Sequence, residues 1–243
     1  MRALFFKEIK AFLNTFTGAL VIAIFLLINS AFLWIFPGDL NLLDSGWANL
    51  DGLFILSPWV FMFLLPAITM RMFSDEKRFG TLELLYTKPI NEWSIVSAKF
   101  LAAWVLVLLS LLPTLLYFYT LYELGAPKGS LDIGGTWGSF IGLFLLGGTY
   151  ASIGLFASSL TENPIVSLLL GAGICFLMFY GIDQMAQSAI LGQLGSTLSS
   201  VGISEHYTGL SRGVIDLRDV LYFLSVGLIF LSATRLKLQS RNW

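Results

Sequence analysis

Six stretches of this chain carry no Asp, Glu, Lys or Arg: Ala11–Gly38, Gly52–Met70, Phe100–Tyr122, Ile133–Thr161, Asn163–Ile182 and Val220–Thr234. A bilayer core about 30 Å thick needs roughly 20 apolar residues in a helix rising about 1.5 Å per residue. The first five reach that length unaided. The sixth has 15 residues and reaches it when Leu217 and the residues beyond Arg235 lie at the interfaces, where long charged side chains snorkel. The expectation is an all-α membrane protein with six transmembrane helices.

Composition excludes the alternatives. Only 12% of residues are charged, against about 25% in a soluble domain, while 56% are hydrophobic and the mean hydropathy is +0.81. A disordered chain, a coiled coil or a water-soluble globule cannot be built from that mixture. The net charge of −1 offers no basic field for nucleic acid. The lone Cys175 can form neither an intrachain disulfide nor a cysteine metal site, and inside the fifth span it reads as a small buried hydrophobe. The first apolar stretch is too long for a cleavable signal peptide, and no small-x-small site or sizeable soluble segment follows it.

Charge asymmetry orients the six spans. Arg2, Lys7 and Lys10, then Arg71, Lys77, Arg78, Lys88 and Lys99, then Arg235, Lys237 and Arg241 fall on one side; the chain has 14 basic residues in all. The other side holds Lys128, Arg212 and Arg218 with Asp39, Asp44, Asp51, Glu123, Asp132, Asp183, Glu205, Asp216 and Asp219. Basic residues mark the cytoplasmic side, so both termini are expected in the cytoplasm. Trp34, Tyr117, Trp137, Tyr180 and Tyr222 near the outer ends, with Trp93 and Trp104 near an inner end, match the aromatic belts of a membrane protein.

Residues 1–14 read as an interfacial helix. Phe5, Ile9 and Phe12 share one face and Lys7, Lys10 and Asn14 another. Residues 71–99 form the one sizeable cytoplasmic segment. Gly80 can end the helix leaving span two, Thr81 can cap a short helix with Glu83 in its first turn, Pro89 stops that helix, and Asn91 can cap the next. Leu82, Leu84 and Leu85 give this short helix an apolar face, which fits docking against a partner as well as packing on its own spans.

The pattern Glu76-x-x-x-Gly80-Thr81-Leu82-Glu83-x-Leu85, followed by Pro89 and Lys99, resembles the cytoplasmic segment of type-2 ABC exporter permeases. His206-Tyr207-x-Gly209, Arg212-Gly213-Val214-Ile215-Asp216 and Asp219-Val220 are similar to the region before that family's last span, and Ser158-Ser159-Leu160-Thr161-Glu162-Asn163 to its turn between spans four and five. Pro164 departs from the pattern, where a polar residue is commoner, although proline is well tolerated early in a helix. More narrowly, Phe36-Pro37-Gly38-Asp39 to Gly46 and Phe73-Ser74-Asp75-Glu76-Lys77 resemble the gliding-motility-associated permease subunit.

The resemblance implies one permease domain over residues 1–243 in a bacterial inner membrane, with residues 1–14 as a connecting helix on the membrane surface. It implies a coupling helix within 71–99, where Glu76, Gly80, Thr81, Leu82, Glu83, Leu85 and Pro89 meet a separate ABC ATPase subunit. Short re-entrant helices are implied within 183–219, where Gly192, Gly195 and Gly202 permit breaks. The implied partners are the ATPase, a second permease or permease-like subunit in a homo- or heterodimer, and membrane lipids, with no nucleic acid. Function would be export, or conformational work in the membrane linked to gliding motility. A non-transport scaffold anchoring a partner complex is the competing reading.

The residues offer no catalytic machinery to set against this. No phosphate-binding loop of the G-x-x-x-x-G-K-[ST] type occurs, so any ATP is bound by a partner and no cofactor is expected on this chain. No Cys/His cluster or H-E-x-x-H motif suggests a metal. Gly209-Leu210-Ser211-Arg212-Gly213 matches a nucleophile elbow, but that motif requires a strand-to-helix turn. Charges deep in the membrane would mark an ion pathway, and the spans as drawn contain none. Gly138, Gly142, Gly147, Gly148, Ala151 and Ser152 on span four permit close helix approach, read chiefly as packing within the chain.

Overall fold

The structure is a computed structural model that describes residues 1–44, 46–86, 91–187 and 199–240. Among these residues it is helical without a strand, and six helices are long and apolar enough to cross a membrane. The first apolar stretch does not form one helix. It divides into α1 (Arg2–Leu13) and α2 (Phe16–Ser30), the latter widening into a π turn over Ala31–Ile35. The Thr15 hydroxyl, 2.6 Å from the Ala11 carbonyl and 2.8 Å from that of Phe12, serves the carbonyls freed where α1 ends, and its extended backbone redirects the chain.

α3 (Asp51–Arg78) runs 28 residues, well past the apolar limit at Met70, and is followed after Gly80 by α4 (Thr81–Tyr86). α5 (Glu92–Leu111) passes through a 3-10 turn at Leu112–Thr114 into α6 (Leu115–Leu124). α7 (Ile133–Leu160) leads to α8 (Pro164–Phe176), which continues through a π turn at Leu177–Gly181 into α9 (Ile182–Ala186). α10 (Ile203–Ser211) precedes α11 (Leu217–Gln239), so the short sixth span is completed by the residues around Leu217 and beyond Arg235. Side chains cap the helices where the sequence places Asx residues. Asn91 accepts from the Trp93 amide at 3.2 Å, Asn163 from Ile165 at 2.9 Å just ahead of Pro164, and Asp216 from Arg218 at 3.0 Å.

α7 is the central helix. Of its most apolar stretch 78% is buried, against 22% for α8–α9 and 28% for α11, and α3, α5, α8, α10 and α11 all pack on it. A helix apolar all round belongs in the middle of a bundle. Its small residues set the spacing: a methyl on Gly154 would lie 2.1 Å from the Thr69 hydroxyl of α3, and one on Gly142 2.6 Å from Leu210 of α10. The glycines of span four therefore serve packing within this chain.

At the end of the bundle near the start of α3, Tyr207 of α10 reaches inward and donates to the Phe54 carbonyl at 2.8 Å. Burial pushes its phenol pKa up. Trp34 meets Tyr117 edge-to-face at 6.3 Å, joining α2 to α6 at the same end. Gly202 begins α10; Gly192 and Gly195 lie outside the described residues.

Candidate functional site

At the opposite end, which holds most of the basic residues, the chain turns abruptly at Gly80. Gly80 has φ +68°, a left-handed conformation that L side chains rarely adopt, and it stops α3 after Arg78. α4 then begins directly at Thr81, so Thr81 is the first helical residue rather than a cap. Its hydroxyl lies 3.4 Å from the Glu76 carbonyl, back along α3. Gly80, Thr81 and Glu83 are exposed, while Leu82 is 1% exposed and belongs to the core. Leu85 lies within α4, and Pro89 falls outside the described residues.

Glu76 does not share that exposed face. It is buried, and its Oε1 lies 2.9 Å from the Lys99 ammonium and 3.3 Å from that of Lys7. Lys99 is 0% exposed. Its ammonium also reaches Glu8 Oε1 at 2.9 Å and the Met72 carbonyl at 2.7 Å, using all three N–H donors, and it lies 5.0 Å from the centre of the Phe73 ring. Two lysines face two glutamates, so the cluster is neutral as a set. It ties α1, α3 and α5 together just above α4.

This arrangement adds detail to the segment between the second and third spans. Within 71–99, residues 71–78 complete α3 and 92–99 open α5, both packed into the bundle, with the helix end at Gly80 and the cap at Asn91 where the sequence placed them. Two charges of the set, Lys99 and Glu76, are buried within the protein near the ends of helices long enough to span a membrane. Glu8 had no role assigned from sequence, yet its spacing was informative. It shares a helical face with Phe5 and Phe12, and an acidic residue on an apolar face needs a cationic partner. The half-buried residues Phe5, Glu8, Ile9 and Phe12 mark the side from which α1 packs on α2 and α5.

A second set of contacts fastens α3 to α7. The Ser158 hydroxyl accepts from the Phe73 and Ser74 amides at 3.0 and 3.1 Å and lies 2.8 Å from the Met70 carbonyl, to which it donates. It is thereby inserted beside the helical ladder of α3, and Lys77 adds a bond to the Ser159 carbonyl. On a third side, Arg235 of α11 lies 5.2 Å from the Trp93 ring centre and Gln239 donates to Glu92 at 3.3 Å. Ser158→Ala is expected to lower stability by about 1–2 kcal/mol, measured as an unfolding midpoint in detergent, while leaving expression intact.

The nucleophile-elbow pattern is not an elbow. Gly209–Ser211 end helix α10, Ser211 Oγ donates to the Thr208 carbonyl at 3.1 Å, and His206 pairs with Asp219 at 2.7 Å. Among the described residues no group of three or more His, Cys, Asp or Glu could hold a metal ion.

With the geometry established, comparison with known proteins places the chain. A family model described as ABC-2 family transporter protein matches residues 59–231, well over half of the sequence. The chain belongs to the ABC-2 transporter family. ABC-2 proteins of this kind are the membrane permease components of ABC transporters and work with separate ABC ATPase subunits, so this chain is a multi-pass membrane permease. The ABC-2 match begins within α3 and ends within α11, and so contains Gly80, Lys99 and Ser158 but not Glu8. No curated protein matches the chain.

Proposed function

We propose that this permease receives the motion of an ATPase subunit through α4, with the basic end in the cytoplasm and the protein in a bacterial inner membrane. The observation that carries the reading is the abrupt exit of α4 from α3 at a left-handed glycine, which presents Thr81 and Glu83 outward while Leu82 anchors the helix in the core. A push on α4 reaches α3 through Gly80 and the buried Leu82, and the Glu76–Lys99–Glu8 cluster and the Ser158 contact join α3 to α1, α5 and α7. Coupling of this kind requires contacts that differ between two states, and ion pairs and hydroxyl bonds exchange more readily than close-packed backbone.

A second permease or permease-like subunit would complete the transmembrane unit, and the ATP would be bound on the partner rather than here. The segments Phe36 to Gly46 and Phe73 to Lys77 support placing the complex in gliding motility, with the work done as export or as movement within the membrane.

The test is capture of the ATPase subunit. Affinity-tagged permease is expected to retain it, and Glu83→Arg is expected to reduce capture at least about tenfold, as the loss of a charge-assisted contact implies, with permease levels unchanged. Thr81→Cys should react with a membrane-impermeant maleimide only after the cells are opened. Labelling from the periplasm would overturn the orientation, and undiminished capture by Glu83→Arg would remove the assigned contact.

A further inference from the structure

Between α1, α2 and α3, beside the ion cluster, lies a cavity of about 460 Å³. A single bridging water needs on the order of 15 Å³, so the space admits something far larger. One part of its wall is apolar, formed by Phe12, Leu20, Val21 and Ile68. The other part is charged: Arg71, Asp75 and Glu76 from α3 face it together with Lys7 and Glu8 from α1.

Three details define the chemistry of an occupant. Glu76 is 9% exposed, and while its Oε1 takes both lysines, its Oε2 is buried without any hydrogen-bond partner. A buried carboxylate oxygen left unpaired is costly and calls for a donor. Asp75 and Arg71 have no ion-pair partner among the described residues, and they stand four positions apart on one face of α3. The wall thus offers unpaired acceptors and an unpaired guanidinium within one cavity, next to an apolar floor, in a helix that crosses a membrane.

We infer that this cavity binds a zwitterionic phospholipid bearing a primary ammonium, of the phosphatidylethanolamine class. The ammonium, with three N–H donors, would meet Glu76 Oε2 and Asp75. The phosphate would meet Arg71, which recognises it by paired N–H donors, and the start of an acyl chain would lie along Phe12, Val21 and Ile68. Phosphatidylglycerol offers hydroxyl donors but no cation, and its net negative charge is opposed by Asp75 and Glu76. A choline lipid carries the same net charge as phosphatidylethanolamine but has no N–H. The occupant would fill the space between α1 and α3, and so support the same elements that the Lys99 cluster joins. This inference does not depend on the side of the membrane on which α4 lies.

The experiment uses the full-length protein in detergent, stripped of lipid and titrated with dioleoyl phosphatidylethanolamine, phosphatidylcholine or phosphatidylglycerol, with binding read by native mass spectrometry and by the rise in melting temperature. Phosphatidylethanolamine is expected to bind about tenfold more tightly than phosphatidylcholine, as one charge-assisted hydrogen bond implies, with one tight copy per chain. Compared with its own lipid-free baseline, Asp75→Asn should erase that preference, whereas Arg71→Gln, which loses the contact to the shared phosphate, should weaken phosphatidylethanolamine and phosphatidylcholine about equally. Equal binding of all three lipids would overturn the inference, as would a preference for phosphatidylglycerol, an unchanged preference in Asp75→Asn or unchanged affinities in Arg71→Gln.

Discussion

Lys99→Met is expected to destabilise the protein by about 3–5 kcal/mol, the usual consequence of removing one partner from a buried ion cluster. Lys99 is fully buried on α5, and its ammonium stands 2.9 Å from both Glu8 and Glu76. Methionine fills the space but leaves two mostly buried carboxylates without the ammonium they share. Lys7, with its side chain 60% exposed, is then the one cation of the cluster left to balance them. The Met72 carbonyl also loses its lysine donor. Unfolding midpoints in detergent would measure the loss, and the triple variant Lys99→Met, Glu8→Gln, Glu76→Gln should recover most of it, since the one charge then left, on Lys7, has a side chain 60% exposed to solvent. A single variant as stable as the parent would show that the cluster does not hold α1, α3 and α5 together.

That cluster also marks where sequence reading stopped. The spans were legible because freedom from charge over about 20 residues is a local property, and the membrane converts it directly into a helix. Gly80 and Asn91 were legible for a related reason, since a left-handed turn and an N-cap depend on a few neighbouring residues. The partnership of Glu8 with Lys99 spans 91 positions and three helices, and nothing in either neighbourhood names the other residue. Lys99 therefore read as the end of a surface segment, although an apolar run starts immediately after it.

Glu76 shows the complementary difficulty. Its place in the motif with Gly80 and Glu83 suggested one shared surface, but α3 remains helical through Arg78. Glu76 then lies two positions before that end and on the inward face. The limit of an apolar run is not the limit of a helix, because polar residues continue the ladder once their side chains have partners. Lys77, bonded to the Ser159 carbonyl, and Glu76, bonded to Lys99, supply those partners here. The first apolar stretch failed in the opposite way. Its charge-free run begins four residues before the break at Thr15, because a break made by a side chain bonding to its own backbone leaves hydropathy unchanged.

The far end of the bundle is held by contacts of a different kind, and Gly213→Ala should disrupt it. Gly213 has φ +81°, and a methyl group there would sit 2.2 Å from the Gly135 Cα and 2.4 Å from its carbonyl oxygen at the start of α7. Gly138 meets the same segment from the other side, since its own methyl would lie 2.5 Å from the Gly213 carbonyl. Both partners are backbone, so no rotamer change relieves the overlap. The left-handed conformation adds about 1–2 kcal/mol for any residue with a Cβ, and overpacking typically adds about 1–3 kcal/mol. A loss of about 3 kcal/mol is expected, read as a lowered unfolding midpoint together with faster proteolysis between α10 and α11. Gly173→Ala, on the exposed face of α8 where a methyl meets nothing within 4 Å, is the control and should be neutral or slightly stabilising. If Gly213→Ala melts with that control, the backbone contact is not formed. If it melts early, one end of the bundle is closed by groups that cannot exchange partners. Under the coupling proposed through α4, motion would then be absorbed at the other end, where ammonium, carboxylate and hydroxyl groups can exchange partners.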